Sequence, residues 1–171
     1  MRKLIASLVL VGAAFALAAP HSARAQNAEA LVSVDFLKPE VALDLAQAAL
    51  QVCRDAGYQV AIAVVDRSGL PQVMLRDRFA GAHTVDTAVR KAWTAVSFRT
   101  STLELNTLVA ESPVMAGLPD ITNALVLGGG VPITAAGTLV GGIGISGAPG
   151  ADLDDECARE AIAKFQGFLD F

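Results

Sequence analysis

Apolar residues recur at helical spacing in four stretches of this chain and form shorter, strand-like runs in five others. The helical spacing predicts helices over residues 39–56, 84–98, 101–112 and 152–168. Strands, mostly bounded by turns that contain glycine, are predicted at 58–65, 71–75, 124–127, 131–134 and 138–145. Hairpin-type links outnumber crossover helices in this order. The pattern therefore predicts a single α/β domain of the α+β type, with a mainly antiparallel sheet of about five strands covered by helices.

The first residues carry the pattern of a removable signal peptide. A positive start precedes an apolar run over residues 4–19, and Ala23-Arg24-Ala25 offers a small-x-small cleavage sequence. The run is shorter than the roughly 20 residues of a membrane-spanning helix. We therefore expect cleavage after Ala25 and a periplasmic or secreted protein. The chain then divides into a signal peptide (1–25), an N-terminal tail (26–37) and the folded domain (38–171).

Removing the signal peptide changes the charge balance. The chain has 13 basic and 17 acidic residues, and the signal peptide holds Arg2, Lys3 and Arg24 but no acid. The remaining 146 residues thus carry a formal net charge of −7. Nucleic acids and anionic membranes both attract positive protein surfaces, so this balance argues against either partner.

Cys53 and Cys157 are the only two cysteines, and both lie in predicted helices. In an oxidising compartment such a pair can form a disulfide. Two free thiols that face the core from their helices are the alternative. The sequence leaves both interpretations open.

Residues 142–147, Gly-Ile-Gly-Ile-Ser-Gly, match the glycine pattern of dinucleotide-binding proteins. In those proteins the pattern occupies the first strand-to-helix turn, whereas here it lies mostly within a strand near the C-terminus. The helix that follows opens with the acidic stretch 152–156, which would repel a pyrophosphate. The glycines are better explained by close packing of a helix or a neighbouring subunit against the strand.

His83 is the histidine that remains once the signal peptide, which holds His21, is removed. A closed zinc site needs three or four ligands at set spacings, which this sequence does not offer. His83 lies in a loop just ahead of the predicted helix 84–98. It is either a surface or helix-capping residue, or a functional imidazole, since neutral imidazole is the usual axial ligand of haem.

Basic residues are concentrated around this histidine. Half of the ten basic residues outside the signal peptide fall within 24 positions: Arg76, Arg78, Arg90, Lys91 and Arg99. Such a positive patch suits carboxylates, for example haem propionates. Solvated charges on a helix and a loop are the alternative.

Several segments resemble the GlcG/HbpS-like haem-binding family, in an order and spacing that run from about Leu43 to Phe165. They are AIAVVDRSG (61–69), KAWTA (91–95), GGVPI (129–133), GGIGISG (141–147) and the acidic start of the last helix. The resemblance implies a sheet of about five strands and self-association into dimers or larger rings. Some exported members of the family bind haem or iron and report redox stress to a membrane sensor kinase. Others lie in catabolic operons or are fused to a cobalamin adenosyltransferase.

Two functions from different classes follow. In the first, the protein binds haem for scavenging, storage or redox sensing, and His83 is the iron ligand. The further residues predicted to bind this cofactor are Arg76, Arg78, Lys91 and Thr94, the last two by their match to the family's Lys-Ala-x-Thr-Ala segment. Weaker ligand candidates are Tyr58, Met74 and Met115. In the second, the protein is an enzyme or accessory protein for a small organic acid of a catabolic pathway, with His83 or Lys91 as acid or base and arginines holding the carboxylate.

Overall fold

The computed structural model describes residues 30–169. The predicted signal peptide, its cleavage after Ala25 and the start of the predicted tail lie outside this range. None of the helices within the range is long and apolar enough to cross a membrane.

Four α-helices and four strands make up the described part of the chain. The helices are α1 (Pro39–Asp55), α2 (Thr84–Phe98), α3 (Thr102–Glu111) and α4 (Ala151–Leu169). The strands are β1 (Ala61–Asp66), β2 (Pro71–Arg76), β3 (Gly130–Ala135) and β4 (Thr138–Ser146). Two short 3-10 turns, Pro113–Met115 and Leu118–Asp120, follow α3. Every predicted element except one strand is present.

The strands form one antiparallel sheet in the order β2-β1-β4-β3. Each hairpin supplies one edge strand and one central strand, and β1 pairs with β4 to join the hairpins. In the turn between β1 and β2, the carboxylate of Asp66 accepts hydrogen bonds from the N–H groups of Ser68 and Leu70 at 2.7 and 3.0 Å. The predicted α+β class and the mainly antiparallel sheet are confirmed.

The predicted fifth strand, over residues 124–127, is wrong. Three of its backbone groups pair with side chains of helices, and two of its N–H groups bond to nearby carbonyl oxygens of the same loop. The N–H of Leu125 donates to Oγ1 of Thr94 at 2.9 Å, and Nη2 of Arg90 donates to the carbonyl oxygen of Ala124 at 2.9 Å. The apolar pattern arises because Ala124 packs into a small cluster beside α3.

The sheet buries large side chains on one face and small ones on the other. Large side chains pack against α1 and α4 and include Ile62, Val64, Ile143 and Ile145. Small ones pack against α2 and include Ala61 and Ala63, which meet Ala88 and Ala92 of the helix. Because successive side chains of a strand point to opposite faces, one strand contributes to both layers.

Gly142 and Gly144 of β4 allow α2 to lie directly on the sheet. A Cβ atom at position 142 would lie 2.6 Å from Cγ2 of Val96, and one at position 144 would overlap the carbonyl oxygen of Ala88. The glycine-rich run therefore serves the close packing of a helix, as the sequence predicts.

Cys53 of α1 and Cys157 of α4 are buried free thiols in the core between these helices. A hydrogen bond with Cys157, together with burial, raises the pKa of Cys53. Of the two interpretations that the sequence leaves open, the structure therefore shows the free thiols.

Candidate functional site

A cleft of about 540 Å³ opens where β4 ends, between the first turns of α2 and α4. One wall is formed by residues 57–59 after α1, and another by residues 146–151, which join β4 to α4. The exposed side chains of Phe79 and Leu127 also line it. Its volume lies within the range of about 300–1,000 Å³ that is usual for small-molecule sites.

His83 lies on the wall of this cleft at the residue that precedes α2. Its carbonyl oxygen accepts from the N–H and from Oγ1 of Thr87, at 3.1 and 2.8 Å, so the backbone starts the helix. Its imidazole is exposed and does not cap the helix, and within residues 30–169 no hydrogen bond to the ring is found. A Cβ atom at Gly81 would lie 2.7 Å from Cε1 of the ring, so this glycine leaves the space that the imidazole occupies.

The loop that carries His83 is anchored by a bidentate ion pair. Nε and Nη2 of Arg54 donate to Oδ2 and Oδ1 of Asp77 at 2.6 and 2.9 Å. The hydrogen bonds from Arg54 lower the pKa of Asp77 to about 2, and the N–H of Arg78 also donates to this carboxylate. The loop is thereby tied to α1, which fixes the approach of His83 to the cleft.

Lys91 lines the cleft from below, and its side chain has no exposed surface. Its Nζ donates to the carbonyl oxygen of Ile145 at 2.9 Å and to Oδ2 of Asp154 at 2.8 Å. The other oxygen of Asp154 accepts from the N–H of Ala148 at 2.9 Å. Burial lowers the pKa of Lys91 and raises that of Asp154, because each charged form loses hydration. The pair joins α2, β4 and α4 at one point.

Gly129 leaves room for this ion pair. Its φ is 112°, a backbone conformation that favours glycine, and a Cβ atom there would lie 2.7 Å from Cβ of Asp154 and 3.0 Å from Nζ of Lys91. The glycine segment before β3 is therefore part of the site, although the sequence analysis assigned it no role in the chemistry.

Three of the predicted cofactor-binding residues lie outside the cleft walls. Arg76 is exposed and donates to the carbonyl oxygen of Ala80. Arg78 is exposed at the start of the loop before His83. Thr94 is buried, and its hydroxyl donates to the carbonyl oxygen of Arg90 at 2.7 Å, besides accepting from the N–H of residue 125. Their roles in cofactor binding stay predictions.

Of the weaker ligand candidates, Tyr58 lines the cleft. Met74 packs against the α2 layer, and Met115 packs in the cluster beside α3. Within the described residues, no three histidine, cysteine, aspartate or glutamate side chains are grouped so that they could hold a metal ion.

Asp154 is the site residue that sequence reasoning missed. It belongs to the acidic stretch 152–156 at the start of α4, which the sequence analysis considered only as a group that would repel a pyrophosphate. Its partner Lys91 is 63 positions away, and no local pattern links the two. Phe79 and Leu127 were missed as well, since isolated apolar residues in loops are common on protein surfaces.

The chain is similar in sequence to proteins of one family. Residues 37–163 match the family described as haem degrading protein HbpS-like. The corrinoid adenosyltransferase PduO of Salmonella typhimurium is 34% identical over 121 residues, which make up 70% of this chain and 36% of that protein. A 15.0 kDa protein of Citrobacter freundii, from the dhaT-dhaS intergenic region, is 31% identical over 106 residues, or 60% of this chain and 74% of that protein. The chain thus spans about a third of the length of PduO.

Solved structures show the same relationship. HbpS of Streptomyces reticuli, as a double mutant, has a TM-score of 0.73 and 40% identity, and the match covers 90% of this chain and 98% of that one. The PduOC:haem complex has a TM-score of 0.70 and 32% identity, with 75% of this chain and 94% of that one covered. The family match takes in β1 to β4, all of α2 with Lys91, and α4 up to residue 163, which includes Asp154. The chain therefore belongs to the haem degrading, HbpS-like family.

Proposed function

We propose that this protein is an exported haem-binding protein and that His83 is the iron ligand in the cleft. The observation that carries the proposal is the exposed imidazole of His83, whose ring makes no hydrogen bond within residues 30–169 and faces a cleft of about 540 Å³. A neutral imidazole with a free ring nitrogen is the usual axial ligand of haem. That a related domain, PduOC, was solved as a haem complex supports the assignment.

The walls of the cleft suit a porphyrin. Phe79 and Leu127 expose 80% and 41% of their surface beside His83, and an apolar ring system would cover that surface. Haem, when bound, would supply an iron centre that takes the imidazole nitrogen. The protein's own part is to hold that nitrogen in place, through the Thr87 hydrogen bonds and the Arg54–Asp77 anchor.

Arg78 is the arginine that we assign to a propionate. It is exposed and precedes Phe79, a cleft residue, by one position. Arg76 and Lys91 have partners of their own, the carbonyl oxygen of Ala80 and the carboxylate of Asp154. An exposed guanidinium next to the cleft can form paired hydrogen bonds with a carboxylate.

Export and self-association complete the proposal. The positive start, apolar run and Ala23-Arg24-Ala25 sequence support secretion. Exposed apolar side chains at Leu108, Val114 and Ile121 support contact between copies of the chain. Haem binding is common to scavenging, to redox reporting through a membrane sensor, and to the degradation named in the family description. Cell fractionation and light scattering of the purified chain test these two points.

A haemin titration followed by absorbance in the Soret region tests the central assignment. We expect a saturable band for the wild-type chain, and a shifted band with at least tenfold weaker binding for His83→Ala, a loss of about 1.4 kcal/mol or more. Leu127→Asp serves as the matched variant, because it changes the cleft wall and leaves the imidazole in place. It should weaken binding without changing the iron spectrum.

Two results would contradict the proposal. A response that never saturates would show that the chain has no specific haem site. Saturable binding whose spectrum and affinity are the same in His83→Ala would show that another residue binds the iron, with Tyr58 as the next variant to make.

A further inference from the structure

We propose that Cys53 and Cys157 form a redox-sensitive thiol pair, which a small peroxide converts into a disulfide that ties α1 to α4 beside the cleft. The structure shows the reduced form of this pair. Formation of the bond does not rest on haem binding, whereas its effect on haem rests on the proposed function.

The two thiols meet where α1 and α4 pack against each other in the core. Cys53 and Cys157 are hydrogen-bonded partners, so their sulfur atoms are direct neighbours. A disulfide brings two sulfur atoms to about 2 Å. The pair therefore needs only to close the gap that its hydrogen bond leaves, and no second protein has to supply a thiol.

A crevice of about 190 Å³ between the same helices gives an oxidant access to the pair. Cys157 lies on its wall and is 3% exposed, whereas Cys53 has no exposed surface. Only Cys157 has to meet the oxidant, because Cys53 then reacts with the sulfur atom beside it. The hydrogen bond from Cys53 lowers the pKa of Cys157, which favours the same order of events.

The crevice defines the class of oxidant. Its volume is below the range of about 300–1,000 Å³ that is usual for sites of drug-sized molecules. Glu156 and Glu160 also line it, and their charges disfavour an anionic oxidant such as glutathione disulfide. A small uncharged peroxide, with hydrogen peroxide as the simplest case, is therefore the oxidant that the crevice admits.

The oxidation can be written so that atoms and electrons balance. The sulfur of Cys157 forms a bond to one oxygen of hydrogen peroxide as the O–O bond breaks, and the other oxygen leaves as water. The product at Cys157 is a sulfenic acid. The sulfur of Cys53 then forms the S–S bond, the S–O bond breaks, and the hydroxyl leaves as water with the proton of Cys53. The two sulfur atoms together lose two electrons, which reduce the peroxide to two molecules of water.

The position of the pair connects it to the cleft. Cys53 precedes Arg54, whose ion pair anchors the loop before α2. Cys157 lies one turn after Asp154, a residue of the cleft wall. Tyr58 lines both the crevice and the cleft, and its N–H donates to the carbonyl oxygen of Cys53 at 2.8 Å. A bond between α1 and α4 at this point therefore acts on both sides of the cleft.

Mass spectrometry of the full chain tests formation of the bond without haem. The protein is reduced with dithiothreitol, freed of reductant, treated with hydrogen peroxide and digested without reduction. We expect a linked peptide pair that contains Cys53 and Cys157, lighter by two hydrogen atoms, and its loss when dithiothreitol is added to the native protein. Thiols that stay free, or that pass to sulfinic acid without linkage, would overturn the proposal. A bond that dithiothreitol cannot reduce in the native protein would overturn the switch.

Two matched variants test the order of the steps. In Cys53→Ala the sulfenic acid at Cys157 has no partner, so a dimedone probe should label it. In Cys157→Ala the remaining thiol lies away from the crevice, and labelling should be slower by about tenfold or more. Equal labelling would overturn the assignment of Cys157 as the residue that meets the oxidant. The wild-type experiment does not depend on the folding of either variant.

Haemin titrations of the reduced and the oxidised chain, after removal of peroxide, test the connection to the cleft. We expect their affinities to differ by about fivefold or more. The double variant Cys53→Ala/Cys157→Ala, treated in the same way, should show no difference. Equal affinities in the wild-type forms would overturn the connection. Absence of haem binding in both forms would contradict the proposed function instead, and the linkage experiment, which uses no haem, still decides the fate of the thiol pair.

Discussion

The two faces of the sheet are packed in different ways. Toward α1 and α4 the strands present isoleucine and valine, and the helices meet them with leucine, valine and alanine. Toward α2 the two central strands present mostly alanine and glycine, with Val65 as the larger buried side chain, so that α2 lies close to the sheet backbone. The α2 layer also holds the buried polar side chains Lys91 and Thr94.

This difference assigns separate tasks to the two layers. Large apolar side chains remove more surface from water, so the α1/α4 layer supplies most of the hydrophobic stabilisation. The small residues of the α2 layer bring a helix so close that Lys91 reaches the end of β4 and its ion pair with Asp154. The cleft opens at the end of β4, where the close packing of α2 against this strand ends.

The largest effect is expected from Asp154→Leu, which leaves the buried ammonium of Lys91 without its partner. We expect a loss of about 4 kcal/mol in the free energy of unfolding, measured by urea denaturation. Adding Lys91→Met to this variant should recover most of the loss, because an apolar pair replaces the ion pair. A single variant as stable as wild type would show that the α2 layer does not depend on this pair.

Ile62→Ala tests the α1/α4 layer. Removing three carbon atoms from a side chain without exposed surface should cost about 3 kcal/mol through lost burial and a residual cavity. Leu70→Ala, at a side chain that is 65% exposed, should change stability by less than about 0.5 kcal/mol. Equal effects of the two variants would contradict the assignment of stability to this layer.

Gly144→Ala tests the α2 layer by adding a single carbon atom. The new Cβ would overlap the carbonyl oxygen of Ala88, which belongs to helix backbone and cannot turn away. We expect a loss of about 2–3 kcal/mol, nearly as much as removing three carbons on the other face. Gly167→Ala, where no atom lies within 4 Å, is the control and should gain about 0.5–1 kcal/mol from helix propensity. A Gly144→Ala variant as stable as wild type would contradict the close packing of α2 on the sheet.

Asp77→Asn should change how stability depends on pH. The pKa of Asp77 in the folded chain is about 2, below its ordinary 3.8, because Arg54 stabilises the carboxylate. This contribution to stability is therefore complete above about pH 4 and is lost as the pH falls through 2. We expect the melting temperatures of wild type and Asp77→Asn to differ at pH 6 and to converge near pH 2. A constant difference across that range would show that the ion pair does not fix the loop.

The smallest effect on stability is expected from His83→Ala. The imidazole is exposed and, within the described residues, makes no hydrogen bond, so stability should change by less than about 0.5 kcal/mol. Thermal unfolding without haem measures this. A loss above about 1 kcal/mol would indicate a structural role and would weaken the use of this variant as a test of iron binding.

The sequence predicts the fold well because the layers have clear periodicity. The strand-like apolar run of β1 and the helical spacing of α2 are properties of single segments. The segment 124–127 misled because apolar residues that fill a gap beside α3 resemble a short strand. A loop of this kind is distinguished from a strand only by its hydrogen-bond partners, which here are the side chains of Thr94, Arg90 and Asn106.

The site is predicted in part. His83 stands out because it is the one histidine left after the predicted signal peptide is removed. In the structure it lines the cleft. Arg76 was chosen from its nearness to His83 in sequence, and Thr94 from its match to the family's Lys-Ala-x-Thr-Ala segment. Both side chains bond to local carbonyl groups. Asp154 could not be paired with Lys91, because the contact depends on how α2 and α4 approach the same strand end.

The most direct test of the central claim asks whether the nitrogen of His83 binds the iron. A chain carrying His21→Asn has one histidine, and growth with ¹⁵N-histidine labels that imidazole alone. Electron–nuclear double resonance of its ferric haem complex should show the coupling of a directly bound ¹⁵N nucleus. A saturable haem complex without that coupling would contradict the assignment of His83 as the iron ligand.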